Sequence, residues 1–397
     1  MLAASSTSPE SVIRARDLAN TIVGDFDWSA NSYGGAADNG VPNPTAVLVA
    51  ANLNQLEADI RQAWDEFNAE QDLFGLPGNI DTQLKAALYF TSADFALAGT
   101  MGPSPSMRAH LERVIGHLSI AEDLLQDGSI ALETQQLADS VGARTDLVIG
   151  TLNSGYSPAA NGLAAPASLG SVFGNGGQSP FGTTTMFASL AADQSLPYEL
   201  SGVSVSVGGR AVPVSYVSPS RVSFFVPADL PIGSAEVVVV TQSGYVSTGT
   251  IGIMRNVTHV MTLNEAEAGL TLGVNDVKQV MEDFPVTTPE NLGSDKRTRV
   301  TFFATGISSS AANNDASNDV RLGANVIANL AESVTVEAHT QDGRVFSLPV
   351  EFAGAQGFPG LDQVNVVLIP ELQGAGIVDL TLIVNGQRSN APTIVVR

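Results

Sequence analysis

Residues 202–227 read GVSVSVGGRAVPVSYVSPSRVSFFVP, and this stretch carries the clearest strand signal in the chain. Val203, Val205 and Val207 alternate with serines, which is the period-2 pattern of a half-buried strand. Gly208-Gly209 then supplies the two residues that a tight hairpin turn favours. The segment therefore predicts short antiparallel strands separated by turns.

Strand patterns of the same kind continue to the C-terminus. They occupy 236–241, 299–305, 333–340, 345–352, 364–369, 378–384 and 393–396, with a less regular stretch at 256–297. The pattern also repeats, because Gly233 and Gly376 each stand three residues before an acid that opens an apolar strand. Short strands at this spacing are typical of β-sandwiches, and the repeat indicates two of them in tandem.

Residues 1–155 instead have helical periodicity. Leu53, Leu56, Ile60, Trp64 and Phe67 step by three or four residues, which keeps them on one helix face. Ser104-Pro105 predicts the start of a fourth helix, and a weaker fifth pattern covers 130–152. The predicted fold class is α+β multidomain: an N-terminal helical bundle at 1–155 and two antiparallel β-sandwiches at 156–255 and 256–397.

The β half also resembles a known module. The residues that carry the resemblance are the 202–227 stretch, Thr301-Phe302-Phe303-Ala304-Thr305-Gly306, the segment 354–365 (GAQGFPGLDQVN) and Val384-Asn385-Gly386-Gln387. Over about 165–397 the chain is similar to an immunoglobulin-like, IPT/TIG-style module at the C-termini of acidobacterial secreted and surface proteins. Arg221-Val222-Ser223 departs from the Gln-Ile/Val-Asn of that module. The resemblance implies a non-catalytic extracellular module with no active-site residues to transfer.

Composition excludes several classes of protein. The 397 residues carry a net charge of −22 and no cysteine. Disulfide scaffolds, zinc–thiolate sites and cysteine nucleophiles are therefore ruled out. Nucleic acid is not an expected partner, because its binding needs a basic surface. No apolar run approaches the ~20 residues of a membrane span.

The beginning of the chain bears on location. Met1-Leu2-Ala3-Ala4-Ser5-Ser6 lacks the basic and apolar regions of a signal peptide, but it is similar to the small-residue stretch around a cleavage site. We therefore expect an extracellular or cell-surface protein whose signal peptide has been removed. The alternative is a short cytoplasmic N-terminal tail.

Two loops are candidate calcium sites. Asp315, Ser317 and Asp319 have the alternate spacing of oxygen ligands in a calcium loop, although Val320 replaces the expected glycine. The second loop runs from Asp25 to Asp38, and for both the alternative is a solvated turn. His110 and His117 lack the Glu-x-x-His spacing of a carboxylate-bundle metal site, so they are interpreted as surface or bundle-edge histidines. No other cofactor is expected.

Chemistry-bearing motifs are few. The sequence contains no Gly-x-Ser-x-Gly, no P-loop and no His-Glu-x-x-His, so we do not expect an enzyme. Trp28 and Tyr33 in the 25–44 loop are candidates for stacking on a glycan or another ligand. The alternative is that these aromatic residues anchor the loop on the bundle.

Long Val/Ile-rich strands at 237–240 and 364–369 would template strand pairing if they lay at a sheet edge. This motivates the hypothesis of a homo-oligomer or filament that forms through strands or through the helical bundle. The alternative places these strands inside their sheets, with edges blunted by Pro213, Pro219 and Pro392. The predicted function is structural, assembly-forming or adhesive. A glycan- or ligand-binding protein is the alternative, followed by an enzyme with its site in the helical domain.

Overall fold

A computed structural model gives the architecture of the chain. It describes residues 10–26, 28, 44–70, 78–146, 148–154, 162–175, 180–192, 195–255, 257–263, 270–271, 273–279, 281, 283–308 and 329–397. The chain forms two compact units that are discontinuous in sequence. The helical unit comprises Met1–Thr151, Gly202–Ala211 and Val237–Thr248, and the β unit comprises Leu152–Ser201, Val212–Glu236 and Gly249–Arg397.

Five helices and several antiparallel sheets make the fold a mixed α and β one in the part of the chain that is described. The helices are α1 Glu10–Asp25, α2 Pro44–Glu70, α3 Gly78–Gly99, α4 Pro105–Asp127 and α5 Leu132–Val141. The strands are β1 Val148–Ser154, β2 Leu163–Ala164, β3 Leu169–Gly174, β4 Met186–Phe187, β5 Glu199–Leu200, β6 Val203–Val207, β7 Arg210–Val212, β8 Val214–Val217, β9 Arg221–Phe225, β10 Gly233–Thr241, β11 Tyr245–Ile253, β12 His259–Val260, β13 Gly273–Asn275, β14 Arg299–Thr305, β15 Val334–Thr340, β16 Val345–Leu348, β17 Val350–Ala355, β18 Asp362–Val367, β19 Gly376–Val384, β20 Gln387–Arg388 and β21 Thr393–Val396.

The helices of the helical unit pack around one hydrophobic core. Helix α3 lies along α4, α1 contacts both α2 and α4, and α5 packs on α4. Leu56 and Ile60 of α2, Leu84 and Leu88 of α3 and Leu118 of α4 are all buried in this core. The helical spacing of apolar residues therefore identified the buried face of α2 correctly.

Helix α4 begins and ends where its sequence directs it. The Ser104 hydroxyl accepts a hydrogen bond from the Met107 amide at 3.2 Å, and Pro105 occupies the first turn. Gly128 then adopts a left-handed φ of 65°, and its amide bonds to the Leu124 carbonyl. The predicted start at Ser104-Pro105 is confirmed.

The predicted fifth helix over 130–152 was wrong in its second half. Helix α5 ends at Val141, where Gly142 takes a left-handed φ of 74°. The chain then enters β1, which pairs in parallel with β11 from Val148↔Tyr245 to Thr151↔Thr248. A glycine terminator and the pairing partner, which lies about a hundred residues downstream, together override the weak helical periodicity.

Strands also contribute to the core of the helical unit. Strand β6 pairs antiparallel with residues 237–241 of β10. Val238, Val240 and Val246 belong to the same hydrophobic cluster as the buried helix residues. The sequence assigned these strands to a separate sandwich at 156–255, whereas the compact unit combines them with the helices.

The first part of the β unit is a sheet in the order β4-β8-β9-β3, which continues to the end of β1. Strand β3 pairs antiparallel with β9 over Leu169↔Phe225 to Phe173↔Arg221. Buried Val172 and Val222 lie opposite each other in this pair. Residues 169–174, within a stretch rich in Gly, Ser and Pro, therefore form a regular strand.

The second part of the β unit consists of two five-stranded sheets. One has the order β12-β14-β18-β17 with β13 also on β14, and the other has the order β16-β15-β19-β20 with β21 also on β19. Phe302 and Val364 of the first sheet share one hydrophobic cluster with Val336, Leu380 and Leu382 of the second. Burial alternates along β15, as the period-2 pattern predicts.

Neither of the two candidate edge strands lies at an edge. Residues 237–241 of β10 stand between β11 and β6, and β18 stands between β14 and β17. The hypothesis that 237–240 and 364–369 are exposed to template pairing was therefore wrong. The alternative, which places both strands inside their sheets, is confirmed.

Candidate functional site

A buried ionic cluster joins α3 and α4 in the helical unit. Asp94 Oδ1 lies 2.8 Å from Nδ1 of His110 and accepts a hydrogen bond from Nε of Arg113, also at 2.8 Å. Nε2 of His117 lies 3.6 Å from Asp94 Oδ2, and the His117 ring stacks on Phe90 at a centroid distance of 5.0 Å. A single carboxylate thus holds three basic side chains of the neighbouring helix.

The electrostatics of the cluster favour an ionised carboxylate. Burial opposes ionisation of Asp94, but hydrogen bonds from His110 and His117 and the positive charge of Arg113 outweigh it and lower its pKa. Arg113 supplies the compensating charge, so the cluster contains an ion pair and two histidines. Nδ1 of His117 is buried and has no hydrogen-bond partner among the described residues.

The interpretation of His110 and His117 as surface or bundle-edge histidines was wrong, because both are buried. Sequence reasoning also missed Asp94, although a signal was present. Asp94 falls on the buried stripe of α3 that includes Leu84, Leu88 and Thr91, and a carboxylate at such a position requires a basic partner. These contacts link helix α3 to helix α4, so the cluster has a structural role in the helical unit. No metal-binding group of His, Asp or Glu occurs in the described residues.

A second buried carboxylate closes a turn in the β unit. Asp362, at the start of β18, accepts hydrogen bonds from the amides of Ile307 at 2.7 Å and Ser308 at 3.2 Å, and from the Ser308 hydroxyl. Burial raises the pKa of Asp362, and these hydrogen bonds oppose the increase. The turn begins at Gly306, which has a φ of 91°.

Residues beside this turn join further segments of the β unit. The Thr305 hydroxyl donates to the Gly360 carbonyl at 2.7 Å and accepts from the Leu169 amide at 2.8 Å. On the same strand, the Thr301 hydroxyl lies 3.1 Å from Asn365 Oδ1. Thr301 and Thr305 lie in the segment 301–306, and Gly360 and Asn365 lie in the segment 354–365, so these two segments meet in space and bond to one another.

Trp28 lies among the described residues, and its side chain is buried, since the residue is only 5% exposed. Its Nε1 donates to the Val23 carbonyl at 3.0 Å, and the ring meets Phe26 edge-on at a centroid distance of 5.9 Å. A stacking platform needs an exposed ring face, which Trp28 does not offer, so the anchoring alternative fits its contacts. Tyr33 lies outside the described residues.

Asp315, Ser317 and Asp319 also lie outside the described residues, as does most of the 25–44 loop. The calcium sites therefore stay predictions.

One exposed aromatic group was missed by sequence reasoning. Phe187 of the outermost strand β4 is 74% exposed, and its ring lies 4.7 Å from that of Tyr216 on β8. The guanidinium of Arg221 lies over the Tyr216 ring at 4.5 Å. The signal was weak, because Met186-Phe187 follows three threonines in a stretch without clear periodicity.

The buried side chain of His259 should make the stability of the β unit depend on pH. Burial lowers its pKa to about 4, whereas the unfolded chain has the ordinary value of 6.5. The unfolded state therefore binds a proton first, and stability that is complete above about pH 6.5 falls as the pH drops towards 4. Between pH 7 and pH 4.5 this group should cost about 2–3 kcal/mol.

The measurement is urea unfolding of wild type and His259→Leu at both pH values. The variant should lose less stability on acidification than wild type by that amount. Asp362, with its raised pKa, acts in the opposite direction and is common to both proteins, so it does not enter the difference. Equal pH dependence of the two proteins would show that His259 titrates normally in the fold.

None of the described helices is long and apolar enough to cross a membrane.

Comparison with known proteins gives no family. No protein-family model matches the chain, and no curated protein matches it. Among solved structures, domains 4–9 of the surface layer protein SbsC align at 13% identity and a TM-score of 0.20, over 64% of this chain and 32% of that one. The adhesin InvE of Yersinia pseudotuberculosis aligns at 12% identity and a TM-score of 0.16, over 62% and 58%. The chain thus spans about a third of the first structure and just over half of the second. At these TM-scores neither alignment establishes a common fold.

Proposed function

We propose that this protein is a non-catalytic structural component of the extracellular space or cell surface, which acts in assembly or adhesion. The sandwiches would be immunoglobulin-like packing or stalk units. The proposal rests mainly on the hydrogen bonds made by the most distinctive residues of the β half. Asp362, Thr305 and Gly360 bond to turns and neighbouring strands, so these residues maintain the module itself.

Closed sheet edges also support a building-block role. The side-chain amide of Asn390 bonds both backbone groups of Val260 on β12, at 2.7 and 3.0 Å. Asn329 donates to the Glu351 carbonyl at 2.8 Å and accepts from the Ala353 amide at 3.2 Å on β17. Because these amides occupy backbone groups that would otherwise template a new strand, such modules can stand in series without uncontrolled pairing.

The test is the state of association of the full chain. We expect sedimentation equilibrium and light scattering to show a mass that rises with concentration, and negative-stain images to show regular particles or filaments. Bovine serum albumin at equal concentrations controls for non-ideality. A particle that stays strictly monomeric to the highest attainable concentration would contradict an assembly role.

A further inference from the structure

Charge is distributed very unevenly along the chain. Residues 1–146 hold 20 acids and 7 bases (−13), residues 255–397 hold 16 acids and 9 bases (−7), and residues 147–254 hold 4 acids and 2 bases (−2). Residues 147–192 contain no charged side chain at all. Because most of the chain is acidic, two copies of this protein repel each other electrostatically. The repulsion is weakest where exposed residues of the 147–192 segment face each other.

One exposed sheet edge lies in this neutral segment. Residues 183–187, Thr-Thr-Thr-Met-Phe, are all exposed, and Met186-Phe187 forms β4, the outermost strand of its sheet. The Ala188 amide bonds to the Ser215 carbonyl on β8. Because backbone groups alternate in direction along a strand, those of Phe187 point away from β8, towards the side where another strand could pair.

Several other edge strands have features that disfavour strand pairing, which the β4 edge lacks. Asn390 caps the outer side of β12 and Asn329 caps that of β17, as described above. Strand β7 begins at Arg210, β16 follows Arg344, and β20 contains Arg388, so each of these strands has a charge that disfavours pairing. Residues 180–192 contain neither lysine nor arginine, and their only proline is Pro180.

The physical character of the edge favours a second copy of the chain as its occupant. A cationic partner would bind preferentially to the acidic surfaces. A second copy of this anionic chain is repelled by those surfaces, so it can approach most easily where the surface carries no charge. Two-fold symmetric antiparallel pairing would place threonines, Met186 and Phe187 against an identical set, with no unpaired charge. The short ladder of β4 limits the buried area, so the contact should be weak and dependent on concentration.

We infer that two copies of this protein associate by antiparallel pairing of their β4 edges, through residues 183–187. The inference rests on the proposed assembly function and names the surface that carries it. Because the edge is neutral while the molecules repel each other, added salt should strengthen the association by screening that repulsion.

The test compares Thr185→Lys with a matched control, Val345→Lys. Both replace an exposed residue by lysine and reduce the net charge equally, from −22 to −21, which by itself favours association. Only Thr185→Lys brings like charges together across the two-fold axis. We expect sedimentation equilibrium to show association weakened at least about tenfold for Thr185→Lys and unchanged for Val345→Lys.

The outcomes separate this inference from the proposed function. If wild type associates and Thr185→Lys associates equally well, or if both variants weaken association alike, the β4 edge is not the interface, although assembly stands. A strictly monomeric wild type would overturn both ideas. Circular dichroism checks that each variant is folded, and Thr183→Lys, at the exposed start of the same segment, replaces Thr185→Lys if the latter misfolds.

Discussion

Replacing Gly306 by alanine is expected to destabilise the β unit by about 3–5 kcal/mol, the sum of a backbone clash and a strained conformation. A Cβ at this position would lie 1.9 Å from the Val257 carbonyl oxygen, which is backbone and cannot rotate away. The residue also has a φ of 91°, where side chains other than hydrogen are disfavoured. Either the Val257 segment or the Asp362-capped turn must move to admit the methyl group.

Gly343→Ala is the matched control for this variant. Gly343 has a similar φ of 85°, but an added Cβ there would meet no atom within 4 Å. The control should therefore cost only the conformational strain, about 1–2 kcal/mol. Urea unfolding followed by far-UV circular dichroism gives both values. Equal losses for the two variants would show that the contact with Val257 has no energetic effect.

Local patterns predicted much of the fold. The stepping of Leu56, Ile60 and Phe67 identified the buried face of α2, Ser104-Pro105 marked the start of α4, and alternation identified β6 and β15. Each of these features depends on neighbours within a few residues, which a sequence displays directly.

Long-range pairing could not be predicted in the same way. The weak helical pattern over 130–152 did not reveal that Val148 pairs with Tyr245, since nothing local to either residue specifies its partner. For the same reason, the sequence did not place Val238 and Val246 in the core of the helices. Strand register and shared cores are decided by tertiary packing, which overrides weak local preference.

The candidate sites illustrate the same limit. Trp28 was a candidate for ligand stacking because it lies in a polar loop, with anchoring on the bundle as the alternative. Its ring is buried against Phe26 and its Nε1 donates to the Val23 carbonyl, which fits the alternative. His110 and His117 were judged by motif spacing along their own helix. Their actual partner, Asp94, is on a different helix, and only the packing of α3 on α4 brings them together.

Replacing Asp94 by alanine is expected to destabilise the helical unit by about 3–5 kcal/mol, since it removes one partner of a buried ion pair. The guanidinium of Arg113 and the rings of His110 and His117 would then lack the acceptor they share. Asp94→Asn keeps the side-chain volume but not the charge, so it should retain packing and still lose more than about 2 kcal/mol.

Asp17→Ala on α1 is the matched control, because it removes the same side chain from a helix interior but from a surface ion pair with Arg16. It should change stability by less than about 1 kcal/mol. Both tryptophans, Trp28 and Trp64, belong to the helical unit, so tryptophan fluorescence during urea unfolding reports this unit selectively.

The lowered pKa of Asp94 provides a second test of the cluster. Its stabilisation is present above the unfolded-state pKa and persists until the pH falls through the lower folded-state value. The difference between wild type and Asp94→Ala should therefore be at least as large at pH 5 as at pH 7. A difference that disappears by pH 5 would mean that Asp94 takes up a proton in the folded protein, and that the cluster does not hold it ionised.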